Sequence, residues 1–275
     1  MNQAPQKSER DLVIRVRELV TILSGNTLHD CLDLDVERGE IMAIVGGSGS
    51  GKSVLMRVLI GLIKPAAGSV CVLGEDIENI RDDRLHDLRK RWGILFQEGG
   101  GLFSTLTVTQ NIQFPMRELM SMPQELMDEI AAVKLSLVGL PADSGKKYPS
   151  ELSGGMRKRA GLARALALDP ELVFLDEPSS GLDPISASQF DELIVELQRT
   201  MTLTVLMVTH DIDSLRATHA RVAMLVDKKL KVGTIAELMK DSDPWIHQYF
   251  SGPRGRGALA RNDNGEMPRP STVKG

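Results

Sequence analysis

The chain contains few aromatic residues and few cysteines. Phe, Trp and Tyr together make up 4% of its 275 residues, and the two cysteines are Cys31 and Cys71. These cysteines are isolated from each other and from any histidine at metal-ligand spacing, which argues against a metal site built on them. We expect two buried, inert thiols, which are compatible with a reducing cytosol.

A net positive charge and long apolar runs are also missing. The net charge is −4, so the overall charge does not suggest a nucleic-acid-binding protein. The longest apolar runs, Val58–Ile63 and Thr204–Val208, are far shorter than the ~18–20 residues that cross a bilayer. Residues 1–10 contain no apolar stretch typical of a secretion signal. We therefore expect a soluble protein, whose membrane role would depend on a partner. The apolar fraction of 42% is ample for a core.

A glycine-rich loop lies between a predicted strand and a predicted helix. Ile41–Val45 is continuously apolar, as in a strand covered on both faces, and Val54–Ile63 continues with helical spacing. The loop between them matches G-x-x-x-x-G-K-[ST] in full, and it consists of Gly46, Gly47, Ser48, Gly49, Ser50, Gly51, Lys52 and Ser53. Glycines let backbone N–H groups converge on phosphate oxygens, and the positive end of the helix faces the same anion. We expect Lys52 to reach the β- and γ-phosphates and the Ser53 hydroxyl to complete a Mg²⁺ shell.

Two carboxylates, Asp176 and Glu177, follow a second apolar strand at Leu172–Leu175. Ligands of open α/β sheets collect at the carboxyl ends of strands, so we expect both acids to face the nucleotide. Asp176 suits the Mg²⁺ shell, usually through water, because Mg²⁺ prefers hard oxygen ligands. Glu177 suits a base that polarises the water attacking the γ-phosphate. The alternative is a pair of helix-capping or solvated turn residues.

Gln97 and His210 follow two further predicted strands, Gly93–Phe96 and Leu203–Val208. The Gln97 amide can bind Mg²⁺ or the attacking water, and the glycines after it allow it to move. His210 is positioned to hydrogen-bond the γ-phosphate. Each residue alone is also typical of a surface or capping position. The predicted catalytic residues are Glu177, His210 and Gln97, and the predicted Mg²⁺ ligands are Ser53, Gln97 and Asp176.

The remaining pattern predicts an α/β fold. Strands that alternate with helices indicate a largely parallel sheet with helices on both faces. The segment from about Ser104 to Ser150 is mostly helical and lies between two core strands, which indicates an inserted helical subdomain. The predicted organisation is an N-terminal extension at 1–10, one domain at 11–250 with its helical subdomain at about 104–165, and a flexible C-terminal tail at 251–275.

The order of these motifs resembles that of the ATP-binding cassette ATPases over nearly all of residues 11–240. Leu152-Ser153-Gly154-Gly155-Met156 is the most specific element of the resemblance. The resemblance implies an ATPase with a P-loop cassette fold, in which a mixed or parallel sheet core is joined to an antiparallel β subdomain and a helical subdomain. It also implies that Ser153, Gly154 and Gly155 contact ATP held by the Lys52 loop of a partner chain. Ser180–Asp183 resembles the segment that crosses the interface of such a homodimer.

One stretch departs from the family pattern. Cassette ATPases usually stack adenine on an aromatic residue shortly after the first strand, whereas Val20–Gly25 contains none. Ile22 or Leu23 is expected to pack on the base instead. We therefore expect weaker discrimination between ATP and GTP than at a stacking site.

Several stretches outside the shared motifs resemble the ATPases of Mla phospholipid-transport systems. They are Gly46–Arg57, Leu95–Glu118, Pro149–Pro184, Asp227–Lys229 and Asp243–Phe250. This resemblance implies an ATP- and Mg²⁺-dependent motor at the cytoplasmic face of the bacterial inner membrane, a peripheral homodimer bound to an integral permease. An MCE-domain lipid-binding protein and, often, a small STAS-domain subunit complete such systems, and no nucleic acid takes part.

Alternatives remain open at this point. The first alternative is the ATPase of another importer or exporter, of amino acids or drugs. The others are a cassette ATPase acting on nucleic acid or ribosomes and a regulatory module without turnover. Leu102, Phe103 and Leu106 either dock the permease or belong to the core of the helical subdomain. The basic tail after Phe250 either binds an anionic membrane, folds across the partner protomer or only solubilises the protein.

Overall fold

The computed structural model describes residues 11–251, so the predicted extension at 1–10 and nearly all of the predicted tail lie outside the described residues. The strands are β1 (Leu12–Leu23), β2 (Asn26–Glu37), β3 (Ile41–Gly46), β4 (Ala67–Val72), β5 (Glu75–Asp76), β6 (Trp92–Leu95), β7 (Leu172–Asp176), β8 (Thr204–Val208), β9 (Arg221–Val226) and β10 (Lys229–Gly233). The helices are α1 (Lys52–Leu59), α2 (Asp82–Lys90), α3 (Val108–Leu119), α4 (Gln124–Leu137), α5 (Gly154–Ala165), α6 (Pro184–Met201), α7 (Ile212–Ala217), α8 (Ile235–Leu238) and α9 (Pro244–Ser251).

Two sheets form the framework of the fold. The larger sheet has the order β10-β9-β3-β8-β7-β6, and its neighbours are parallel except for β10, which pairs antiparallel with β9. The smaller sheet has the order β2-β1-β4-β5 and is antiparallel throughout. The predicted α/β class with a mixed sheet core and an antiparallel unit is therefore confirmed.

The apolar runs occupy the centre of the larger sheet. Every residue of β3, β7 and β8 is buried, as expected for strands covered on both faces. One core cluster lies between these strands and helices α3 to α6, and the other lies between the two sheets and α1. Because β6, β7, β8 and β3 run in the same direction, the residues that follow them meet at one edge of the sheet.

The segment between β6 and β7 is mainly helical. It contains α3, α4 and α5, and buried apolar residues from all three helices join one core cluster. This is compatible with an inserted helical subdomain at about 104–165, although the domain boundaries stay a prediction. No helix within residues 11–251 has the length and apolar character needed to cross a bilayer.

The expectation of two buried thiols is wrong. Cys31 is exposed and Cys71 is only partly buried. In β2 the pairing with β1 is irregular between His29 and Leu32, and Cys31 adopts φ 53 there. This bulge turns two successive side chains, Asp30 and Cys31, towards solvent. A strict alternation of buried and exposed side chains along the strand therefore does not hold at this position.

Candidate active site

The glycine-rich loop joins β3 to α1 at the carboxyl edge of the larger sheet. Gly49 and Gly51 have φ values of 76 and 105, which favour glycine. Gly51 is the N-cap of α1 and no side chain caps the helix there. The first N–H groups of α1 therefore remain available to an anion, as at other phosphate-binding helix starts.

Lys52 folds back over its own loop. Its Nζ donates to the backbone oxygens of Gly46 and Gly47 at 3.0 and 2.9 Å. Burial lowers the pKa of Lys52, although the carboxylates of Glu177 and Asp176 act in the opposite direction. The ammonium thus lies on the concave side of the loop, where a phosphate would displace the two carbonyl contacts.

Ser53 and Asp176 come together from different elements. The Ser53 hydroxyl donates to Asp176 Oδ1 at 3.4 Å, and only 6% of Asp176 is exposed. Burial, followed by the nearby charge of Glu177, raises the pKa of Asp176. A hydroxyl and a desolvated carboxylate beside a phosphate loop fit a Mg²⁺ ion that keeps phosphate and water among its ligands.

Glu177 and His210 form the closest side-chain pair among the predicted catalytic residues. His210 Nδ1 lies 2.9 Å from each carboxylate oxygen of Glu177. The Glu177 side chain is 12% exposed, and that of His210 is 58% exposed. Glu177 adopts φ 49, and its N–H donates to the Val208 oxygen at the end of β8. The strand ends therefore hold the two side chains next to each other.

The sequence did not point to Lys158, a buried lysine on α5. Its Nζ donates to the backbone oxygens of Gln97 and Glu177, each at 2.9 Å, and 5% of the residue is exposed. Burial lowers the pKa of Lys158. Lys158 thus connects the helix after Ser153 to the segments that follow β6 and β7. Its spacing along the chain carries no signal for these contacts, since both acceptors are backbone groups of distant segments.

Gln97 and the Ser153 segment are placed differently from the other predicted residues. The Gln97 side chain is exposed, while its backbone is held by Lys158. Ser153 is the N-cap of α5, and its Oγ accepts from the Met156 N–H at 3.2 Å. Direct contacts thus join Ser53 to Asp176 and Glu177 to His210, and both carboxylates lie close enough to affect the pKa of Lys52. Ser153 lies at the start of its own helix.

Gly154 and Gly155 have free space around them within the chain. A Cβ on Gly154 would meet Leu182 at 3.7 Å, and one on Gly155 would meet Ser186 at 3.9 Å, both ordinary contacts. Packing inside this chain therefore does not require glycine at either position. A need for glycine at these positions would therefore come from a molecule that approaches the start of α5 from outside this chain.

The hairpin between β1 and β2 presents aliphatic residues to solvent. Ile22 and Leu23 are 51% and 45% exposed. Between this hairpin and the phosphate loop lies His29, which is fully buried and has Nε2 3.2 Å from the Gly51 oxygen. Exposed aliphatic side chains near the loop agree with the expected aliphatic base contact, which stays a prediction.

A groove of about 580 Å³ opens beside the segment 99–107. Phe103 lines this groove, is 42% exposed and packs on Phe114 with 4.5 Å between ring centroids. Leu102 instead packs against the core cluster. Phe103 therefore lies on a surface where a partner could dock, whereas Leu102 belongs to the core.

Comparisons with known proteins show the family of this chain. A family model described as "ABC transporter" matches residues 29–180. MlaF of Escherichia coli K12, an intermembrane phospholipid transport system ATP-binding protein, is 37% identical over 87% of this chain and 89% of its own length. Mkl of Mycobacterium tuberculosis H37Rv, named a probable ribonucleotide transport ATP-binding protein, is 39% identical over 88% of this chain and 67% of its own length.

Solved structures lead to the same class. The dimeric, post-hydrolysis ATP-binding cassette MJ0796 bound to ADP and Pi matches with a TM-score of 0.73 and 27% identity, over 80% of this chain and 98% of that one. CbiO1 from Clostridium perfringens matches with a TM-score of 0.76 and 29% identity, over 92% of this chain and 100% of that one. The fold and the site define a nucleotide-hydrolysing cassette. The chain belongs to the ABC transporter family and is an ATPase of the ATP-binding cassette fold.

Proposed function

We propose that this chain is the motor subunit of a phospholipid transporter, in which Glu177 is the base for ATP hydrolysis. The contact between Glu177 and His210, at 2.9 Å beside the Lys52 loop, carries this proposal. Glu177 accepts a proton from the attacking water, a role typically worth ~10²–10⁴-fold in rate. His210 orients the carboxylate and hydrogen-bonds the γ-phosphate.

The phosphates occupy the loop Gly46–Ser53, where Lys52 exchanges its two carbonyl contacts for phosphate oxygens. Mg²⁺, when bound, neutralises charge that develops on the phosphate oxygens. Ser53, Gln97 and Asp176, the last through water, are its proposed ligands. No group of three His, Cys, Asp or Glu within residues 11–251 could hold a metal alone, which fits an ion that keeps several non-protein ligands.

The active unit of the proposed motor is a homodimer. Ser153, Gly154 and Gly155 of one chain contact the γ-phosphate of ATP bound by the other chain. Two observations support this: a Cβ on either glycine would meet only ordinary contacts inside the chain, and the related cassette MJ0796 is described as dimeric.

Replacing Glu177 with Gln tests the catalytic part of the proposal. We expect ATP turnover to fall by at least ~10²-fold, because the amide cannot take a proton. ATP should still bind, so the variant should accumulate as an ATP-bound dimer in size-exclusion chromatography with light scattering. Glu192→Gln, an exposed change on α6, is the matched control. Unaltered turnover in Glu177→Gln would exclude this residue as the base.

The proposed cargo is phospholipid. MlaF, named for phospholipid transport, is matched over 89% of its length, compared with 67% for mkl, which is named for ribonucleotide transport. The proposed partners are an integral permease, an MCE-domain protein and a STAS-domain subunit, which places the motor at the cytoplasmic face of the inner membrane. Affinity purification from native membranes, with mass spectrometry of bound proteins and small molecules, should recover these partners and phospholipid. Recovery of ribonucleotide-binding partners instead would contradict the assignment of phospholipid as the cargo.

A further inference from the structure

The last described helix, α9, lies against the nucleotide site. Tyr249 donates from its hydroxyl to the backbone oxygen of His210 at 3.2 Å. Trp245 Cζ2 lies 3.7 Å from the position that a Cβ on Gly47 would take. The rings of Trp245 and Tyr249 stack with 5.3 Å between centroids and 25° between planes. One aromatic pair therefore bridges the phosphate loop and the segment that carries His210.

The start and the buried face of α9 are firmly attached to the rest of the fold. Ile246 and Phe250 are fully buried, and Phe250 packs edge-on against Tyr249. Asp243 accepts from the Trp245 N–H at 2.9 Å, and Lys231 pairs with Asp243 at 3.2 Å. Because α9 is anchored at its start and along its buried face, the hydroxyl of Tyr249 can restrain the peptide that it touches.

We propose that Tyr249 is a positioning residue for ATP hydrolysis, which holds the backbone of His210 so that the imidazole keeps its contact with Glu177. The inference rests on the proposed roles of Glu177 and His210 and adds the C-terminal helix to them. Trp245 supports the same arrangement from the side of Gly47.

Exposure of His210 makes a backbone restraint important. More than half of its side chain faces solvent, so packing limits the orientation of the ring only in part. Small displacements of a catalytic group lower rates steeply. Burial, followed by the charges of Glu177 and Asp211, raises the pKa of Tyr249 above its ordinary value. The hydroxyl consequently stays protonated and remains a donor throughout the neutral pH range.

Tyr249→Phe removes the hydroxyl and keeps the stacked ring. We expect about a five-fold fall in kcat, the change that corresponds to one ordinary hydrogen bond, with KM for ATP and the thermal midpoint unchanged. Gln248→Ala, an exposed change on the same helix, should leave kcat at the wild-type value. In a His210→Ala background, Tyr249→Phe should have no further effect on kcat, because Tyr249 acts through His210.

Three results would overturn the inference: an unchanged kcat in Tyr249→Phe, an equal fall in Gln248→Ala, or an undiminished effect of Tyr249→Phe in the His210→Ala background. The Glu177→Gln variant separates this failure from failure of the proposed function. If Glu177→Gln is inactive while Tyr249→Phe behaves as wild type, only the role of α9 is wrong. If Glu177→Gln hydrolyses ATP normally, the proposed base itself is wrong.

Discussion

His29 supports the phosphate loop from beneath. The residue is fully buried on β2, and its Nε2 lies 3.2 Å from the Gly51 oxygen. A Cβ on Gly51 would lie only 2.8 Å from the same nitrogen, so the loop and the ring fit closely. Burial lowers the pKa of His29, although the contact with the Gly51 carbonyl acts in the opposite direction. The ring is therefore neutral in the folded protein and donates from Nε2.

The burial of His29 makes the stability of the folded protein depend on pH in a defined direction. As pH falls below the ordinary histidine pKa of about 6.5, His29 takes up a proton more readily in the unfolded chain than in the folded one. Proton uptake then favours unfolding, so His29 lowers the stability of the folded state at acidic pH.

We expect the free energy of unfolding of the wild type to fall more steeply between about pH 7 and pH 5 than that of His29→Phe, which cannot titrate. Urea unfolding at several pH values measures both slopes. His86→Phe, a change at an exposed histidine, is the control and should keep the wild-type slope. Equal slopes for wild type and His29→Phe would contradict the assignment.

Residues at strand ends could be predicted, while residues that act on backbone groups could not. Asp176, Glu177 and His210 follow apolar strands, and the carboxyl ends of parallel strands share one edge. His29 and Lys158 reach carbonyl oxygens of segments far away in the chain. Any residue can supply a carbonyl, so the sequence holds no matching partner for either side chain.

At the scale of elements, one loop is fixed almost entirely by one side chain. Asn111 is fully buried on α3, and its Oδ1 accepts from the Phe103 N–H at 2.7 Å. Its Nδ2 donates to the backbone oxygens of Phe103, Leu106 and Thr107 at 3.0 to 3.1 Å. Arg164 also donates to the Gly101 oxygen. The segment beside the groove is therefore ordered before any partner binds, which favours specific docking.

Phe103→Glu tests whether this ordered segment docks the permease. A charge on the exposed ring position should abolish coupled transport and co-purification of the permease, because an apolar contact would have to bury a carboxylate. Basal ATPase activity of the purified chain should stay the same. Leu126→Glu on α4 is the matched control, since Leu126 is 44% exposed, close to the 42% of Phe103. Intact transport in Phe103→Glu would contradict docking at the groove.

Polar elements were harder to predict than apolar ones. Helix α2 buries only Leu88 among its nine residues, so it shows little apolar periodicity. Strand β10 is an edge strand with no buried residue. The fully buried strands β3, β7 and β8 were predicted because their apolar runs are continuous. Core strands are thus encoded locally, whereas edge elements depend on the neighbour they pair with.

Across the whole molecule, the two edges of the larger sheet differ in the charged side chains that they carry. Near the amino ends of the parallel strands, Glu171 pairs with Arg38 and Arg91, and Glu40 pairs with Arg221. Each of these charged side chains therefore has a partner of opposite charge within the chain. At the carboxyl edge, burial lowers the pKa of Lys52 and raises that of Asp176, and only 12% of the Glu177 side chain is exposed. The proposed nucleotide site therefore lies at the carboxyl edge, and in the proposed homodimer the partner chain reaches that edge to complete it.

Mixed dimers test completion of the site by a second chain. Lys52→Ala removes the phosphate contact, and Gly154→Asp introduces a charge where the partner's nucleotide would approach, without a clash inside its own chain at Cβ. Each homodimer then has a defect in both sites, and both should be inactive. In a mixed dimer, one site carries both defects, while the other combines an intact Lys52 with an intact Gly154.

We expect mixing of the two inactive variants to restore ATP hydrolysis, up to about half of the wild-type rate if the two sites work independently. Tagging the variants differently and purifying the doubly tagged dimer isolates the mixed species for the assay. If each site were built within one chain, every site of the mixed dimer would contain a defect and no activity would return. A mixture of Lys52→Ala with Glu177→Gln is the control. Both defects then lie on the Lys52 side of a site, so each site keeps one of them and the mixture should stay inactive.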